Sequence, residues 1–118
     1  MALPHAAPAQ PINVAPLGPA LASTPSSALF KSAGLEVMRV VLTAGKSLPP
    51  HKVEGEITLQ VLEGEVELDV QREGASERHR LTAGQLCYLE GGVMHGVTAL
   101  RDASALVTIV LKPSARLA

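Results

Sequence analysis

The chain has 118 residues and a formal net charge of −1, which fits one domain and supplies no basic field for nucleic acid or anionic lipid. Hydrophobic residues make up 47% of it but aromatics only 2%, as Phe30, Tyr88 and no Trp, so the core is aliphatic and base or sugar stacking lacks its platforms. The single cysteine, Cys87, permits neither an internal disulfide nor a thiolate zinc cluster.

Residues 1–30 contain no Asp, Glu, Lys or Arg and hold six of the nine prolines. The prolines remove backbone donors that hydrocarbon cannot replace, which argues against a membrane span. No Lys or Arg precedes the apolar stretch, and Pro16 and Pro19 interrupt it, which argues against a secretory signal. The expectation is a cytoplasmic protein without membrane contact. Residues 1–30 are read as an Ala/Pro-rich tail, flexible to about Gln10 and with one short helical turn over 17–22. This tail is either inert or a strap against the domain or a partner. The domain itself is placed at 31–113, followed by a C-terminal tail at 114–118.

From Ser32 onward short apolar alternations are broken by Gly, Pro and charged turns, and helical periodicity is nowhere sustained. This predicts an all-β domain with strands over 35–42, 48–53, 57–62, 66–71, 77–81, 86–89, 95–99 and 105–111. The clearest is Glu65-Val66-Glu67-Leu68-Asp69-Val70, with apolar residues facing in and acids facing water. In the last strand Ala105, Val107, Ile109 and Leu111 are apolar on one face, while Leu106 and Val110 flank Thr108 on the other. That predicts cover on both sides, from the N-terminal segment or from a second subunit. Charged residues are 18% of the chain, against about 25% in an average domain, and together these features predict a homodimer.

One phrase occurs twice: Leu42-Thr43-Ala44-Gly45 and Leu81-Thr82-Ala83-Gly84. Each glycine leads to a histidine, His51 after the first and His95 after the second. In the first segment Gly45 is followed by five residues, then His51, Lys52, Val53, then Gly64. In the second Gly84 is followed by five residues, then Glu90, Gly91, Gly92, Val93, Met94, His95, and three residues later Ala99. These two segments resemble, in spacing, the two motifs of the cupin superfamily of small β-barrels, over about residues 35–111. The stretch Val61-Leu62-Glu63-Gly64-Glu65 is typical of them as well. The resemblance implies a double-stranded β-helix, a jelly-roll barrel with an irregular or helical N-terminal segment and a pocket at its mouth.

Cupins that bind a metal usually do so with two histidines and a glutamate from the first motif and one histidine from the second. This chain keeps His51 and His95. Val53 stands at the second histidine position, and the glutamate position falls on Ile57 or Thr58. Glu56 is one residue early, which turns it outward in a strand unless a bulge at Gly55 turns it back. The resemblance thus implies weak binding of a divalent ion such as Ni, Zn, Fe or Mn, through His51, His95 and Glu56, against a plain pair of hydrogen-bonded pocket histidines. A firm transition-metal site generally takes three or four protein ligands.

Alternation places His51, Val53, Ile57, Leu59, Val61, His95 and Val97 on the inward face, as a ligand pocket with two imidazoles at its mouth. Cys87 and Tyr88 lie on opposite faces of one strand, so at most one points inward. Tyr88 inside would add a hydroxyl beside the imidazoles, which makes His51, His95 and Tyr88 the candidate catalytic residues. Three functional readings follow: a binder of a small apolar or weakly polar metabolite; a metal-dependent or histidine-based enzyme of dioxygenase, decarboxylase or isomerase type; and a structural dimerisation module.

Overall fold

The computed structural model describes residues 5–111; the expected C-terminal tail, 114–118, and the first four residues of the N-terminal tail lie outside them. A short 3-10 turn, Gly18–Ser23, precedes seven strands: β1 (Ser27–Lys31), β2 (Leu35–Leu42), β3 (Ser47–His51), β4 (Ile57–Arg72), β5 (Ala75–Thr82), β6 (Leu86–Leu89) and β7 (Met94–Val110). Among the described residues every strand pairing is antiparallel. No helix of the described residues is long and apolar enough to cross a membrane.

β4 and β7, of 16 and 17 residues, are longer than the usual strand of roughly 3–10 residues, because each serves both halves of the jelly roll. The first half of β4 lies between β6 and the second half of β7, which β2 and then β1 extend. The second half of β4 lies between β5 and the first half of β7, which pairs in turn with β3. The sequence divides each long strand in two. The chain instead passes through with bulges, as register shifts between Val61 and Val66 opposite residues 101–104. Gly64 has φ +83°, and a Cβ there would fall on the Asp102 carbonyl oxygen. A glycine that reads as a turn in sequence here bends a continuous strand. The bulges also reset the alternation: Ile57, Leu59 and Val61 are buried before them, and Val66, Leu68 and Val70 after.

The two Leu-Thr-Ala-Gly phrases form matching turns. In each a backbone N–H donates back across the turn, Lys46 to Thr43 at 2.9 Å and Gln85 to Thr82 at 3.0 Å. Gly45 and Gly84 both have positive φ, and their N–H groups donate to Ala99 and Val61, both at 2.8 Å. The repeated sequence therefore marks equivalent corners of the barrel.

The first thirty residues differ from the expectation of a tail, because Ser27–Lys31 forms the edge strand β1 against β2. Its brevity and the surrounding Ser and Pro residues hide it in the sequence. The predicted helical turn exists as Gly18–Ser23, with Leu21 buried against the barrel. The segment before it is tied down by a polar cluster on the outer face. The Glu63 carboxylate accepts the N–H groups of Leu17 at 2.8 Å and Gly18 at 3.0 Å, and also the Ser104 hydroxyl. The buried Arg39 guanidinium donates to the Ala15 carbonyl at 3.1 Å. Burial pushes the Glu63 carboxyl up, but the hydrogen bonds from Leu17, Ser104 and Gly18 and the Arg39 charge outweigh it and hold the group below the usual carboxylate range. Cover over the last strand is thus partial. Ser104 lies buried beside this cluster, whereas Val110 at the far end of the same face is exposed.

Candidate functional site

On β3 and β7 the two motif histidines meet. β3 carries Pro49 and Pro50, which offer no backbone donor and hold the chain extended, so its register against β7 shifts between Leu48 and His51. His51 then lies directly opposite His95. The close approach of the strands uses Gly96, where a Cβ would press on Leu48 O at 3.2 Å and Pro50 N at 3.3 Å. The ring centroids are 4.6 Å apart and the planes are tilted by 50°.

Each imidazole is held in the same way, by the carbonyl two residues earlier: His51 Nδ1 to Pro49 O at 3.2 Å, and His95 Nδ1 to Val93 O at 3.0 Å. His95 is buried and His51 exposed. Burial pushes the His95 ring below the usual histidine range; the Val93 hydrogen bond opposes this and the nearby His51 adds to it. His95 is consequently neutral near pH 7.

Both rings border a cavity of about 250 Å³. Its wall is aliphatic: Met38 and Val40 from β2, Leu48 from β3, Ile57, Leu59 and Leu68 from β4, Leu89 from β6, and Val97, Val107 and Ile109 from β7. Among the described residues the polar side chains on it are Ser26, His51 and His95, and no charged one lines it. Of the residues that alternation assigned to the pocket, His51, Ile57, Leu59, His95 and Val97 border this space. Val53 packs at the edge of the core and Val61 is wholly buried within it, so neither faces the cavity. Ser26, Leu48, Leu68 and Leu89 also border it without having been assigned, as do Met38, Val40, Val107 and Ile109. Their period-two parity along β2 and β7 is visible in sequence, but which strands flank β4 is not.

Two expected site residues point elsewhere. Tyr88 pairs with Thr58 on the outward face of β6, while Cys87 opposite Leu59 turns toward the core. Tyr88 is 56% exposed and donates its hydroxyl hydrogen to Glu56 Oε2 at 2.6 Å. That bond to a carboxylate pushes the phenol above its usual range, away from any proton exchange near neutrality. Tyr88 is therefore no member of the pocket or of a catalytic group with the histidines. Glu56 is likewise committed to Tyr88 on the outside. The bulge that would turn it inward does not form; Gly55 instead lets the backbone pass the Val110 carbonyl, on which a Cβ would fall.

A metal fits this donor set poorly. Among the described residues no group of three or more His, Cys, Asp or Glu side chains is placed to hold an ion. The apolar Ile57, where the family pattern has its carboxylate, lines the wall beside the imidazoles. Two imidazoles fall short of the three protein ligands that a firm site generally needs.

A family model described as the cupin domain matches residues 38–111. Among solved structures, an RmlC-like cupin protein from Desulfovibrio desulfuricans is 31% identical, with a TM-score of 0.62 over 72% of this chain and 79% of that one. KdgF from Halomonas sp. is 23% identical, with a TM-score of 0.65 over 78% of this chain and 82% of that one. Oxalate decarboxylase from Bacillus subtilis, which carries Mn(II) centers, is 20% identical, with a TM-score of 0.63 over 70% of this chain but 22% of that longer one. The last two are likenesses of fold. No curated protein matches the chain.

Proposed function

The chain belongs to the cupin domain family, and on that premise we propose that its barrel cavity binds a small, apolar or weakly polar molecule whose polar head sits at His51 and His95. The observation that carries this reading is the wall: about 250 Å³ bordered by aliphatic side chains, with two imidazoles and one serine as the polar side chains among the described residues. Apolar surface of the ligand is taken out of water there, while a charged ligand finds no counter-charge among the described lining residues to offset its desolvation. The volume lies just below the roughly 300–1,000 Å³ of pockets for drug-sized ligands, which suits a body of one ring or a short branched chain.

The test is a thermal-shift screen of neutral small molecules on chelator-treated protein and on Val107→Phe, which fills the cavity from β7. Expected are ligands that raise the melting temperature of the wild type and leave the variant unmoved. A wild type indifferent to every molecule, or a variant that responds equally, overturns the reading.

The neutral, buried His95 favours a second reading. Its Nε2, without a protein partner among the described residues, suits a general base toward a bound molecule, as in a histidine-based enzyme. Turnover would then fall by about 100-fold or more in His95→Gln, and a bound ligand recovered unchanged after long incubation counts against it. As for assembly, Leu86, Tyr88 and Val110 are exposed on the outer face of the sheet, and this supports a homodimer; a monomer mass by light scattering at micromolar concentration contradicts it.

A further inference from the structure

Which head group suits the cavity follows from a count of donors and acceptors, and this step rests on the reading of the cavity as a ligand site. A carbonyl oxygen only accepts, so Nδ1 of His51 against Pro49 O and Nδ1 of His95 against Val93 O both carry the ring hydrogen. A ring that carries its hydrogen on Nδ1 alone holds a lone pair at Nε2, and no described residue donates to either Nε2. Ser26 adds no free donor: its hydroxyl hydrogen goes to Val41 O at 3.4 Å, and its oxygen accepts from Val41 N at 2.8 Å. Among the described residues the polar lining is thus two neighbouring imidazoles, with ring centroids 4.6 Å apart, in a wall of aliphatic and uncharged side chains.

We infer that the ligand is an uncharged molecule bearing two hydrogen-bond donors on a small apolar body, one donor for each Nε2. A carboxylate sets lone pairs against lone pairs, with no cation among the described residues that line the cavity. A single hydroxyl leaves one imidazole unpaired, and a hydrocarbon leaves both. An apolar cavity of about 150 Å³ takes benzene, so about 250 Å³ admits one ring with its donors attached. An NH2 group on a ring and a pair of adjacent hydroxyls share this chemistry.

Isothermal titration in EDTA at pH 7.5 with toluene, phenol, aniline, catechol and benzoate tests the inference. Aniline or catechol is expected to bind about fivefold more tightly than phenol, the worth of one net hydrogen bond. Phenol should exceed toluene, and benzoate should give no binding. Aniline ahead of catechol assigns the donors to one nitrogen; the reverse order assigns them to two hydroxyls. In His51→Leu, at an exposed position that tolerates the change, the two-donor probe should fall to the affinity of phenol. Toluene or phenol binding as tightly as both two-donor probes, or benzoate binding, overturns the donor count while leaving the cavity reading intact. Absence of binding by all five probes overturns both.

Discussion

Glu63→Ala is expected to lower stability by about 2 kcal/mol, the scale for leaving several partly buried hydrogen-bond donors without their acceptor. For a domain of this size that is a fall of roughly 10 °C in melting temperature. The carboxylate gathers the Leu17 and Gly18 N–H groups and the Ser104 hydroxyl, and its charge faces the buried Arg39, itself bonded to Ala15. Alanine at 63 strands the two N–H groups and the Ser104 hydroxyl at once and loosens the segment before the 3-10 turn, so proteolysis near residues 13–18 should speed up as well. The pH dependence has a definite sign. The folded Glu63 carboxyl lies below the ordinary value of 4.5, so its contribution is complete above about pH 4.5 and is lost as the pH falls through the folded value. Glu63→Gln should flatten that acid limb of a urea-denaturation series; an unchanged limb would show that the cluster carries no such linkage.

Gly64→Ala is expected to cost about 3 kcal/mol or more, the sum of a left-handed backbone strain of about 1–2 kcal/mol and an overpacking term of similar size. The new Cβ meets backbone of Asp102 and Ala103 where β4 and β7 bend together, and backbone cannot step aside as a side-chain tip can. Gly84 supplies the control, since it has φ +90° with open space where a Cβ would go. Gly84→Ala should lose only the strain, about 1 kcal/mol, and equal losses at the two positions would show that the close approach at Gly64 is unimportant.

These two residues also mark how far the sequence could be read. The motif spacing and the alternation of Val66, Leu68 and Val70 identify an all-β cupin barrel, and the cupin-domain match over residues 38–111 accords with it. Gly64 was legible as punctuation but not as a bulge, because only the neighbouring strand reveals that pairing continues through it. Glu63 belonged to a recognisable phrase, yet its partners Leu17 and Gly18 lie some 45 residues away in a zone that composition marks as a tail. Tyr88 and Glu56 were ambiguous because one residue of phase decides which face a strand side chain takes; their bond to each other lies outside the barrel. His51 and His95 were legible from spacing, but the carbonyls that hold their Nδ1 atoms were not.

Whether a ligand sits at the two histidines is read directly from the 15N spectrum of the imidazole nitrogens, recorded at pH 7.5 with and without the tightest-binding neutral probe. Expected is Nδ1-protonated imidazole at both His51 and His95, with both Nε2 resonances moving as the probe saturates the protein and the four Nδ1 and Nε2 signals unmoved in Val107→Phe. Nε2-protonated rings in the free protein, or Nε2 resonances that stay in place while the probe is bound, would contradict a ligand seated at the two histidines.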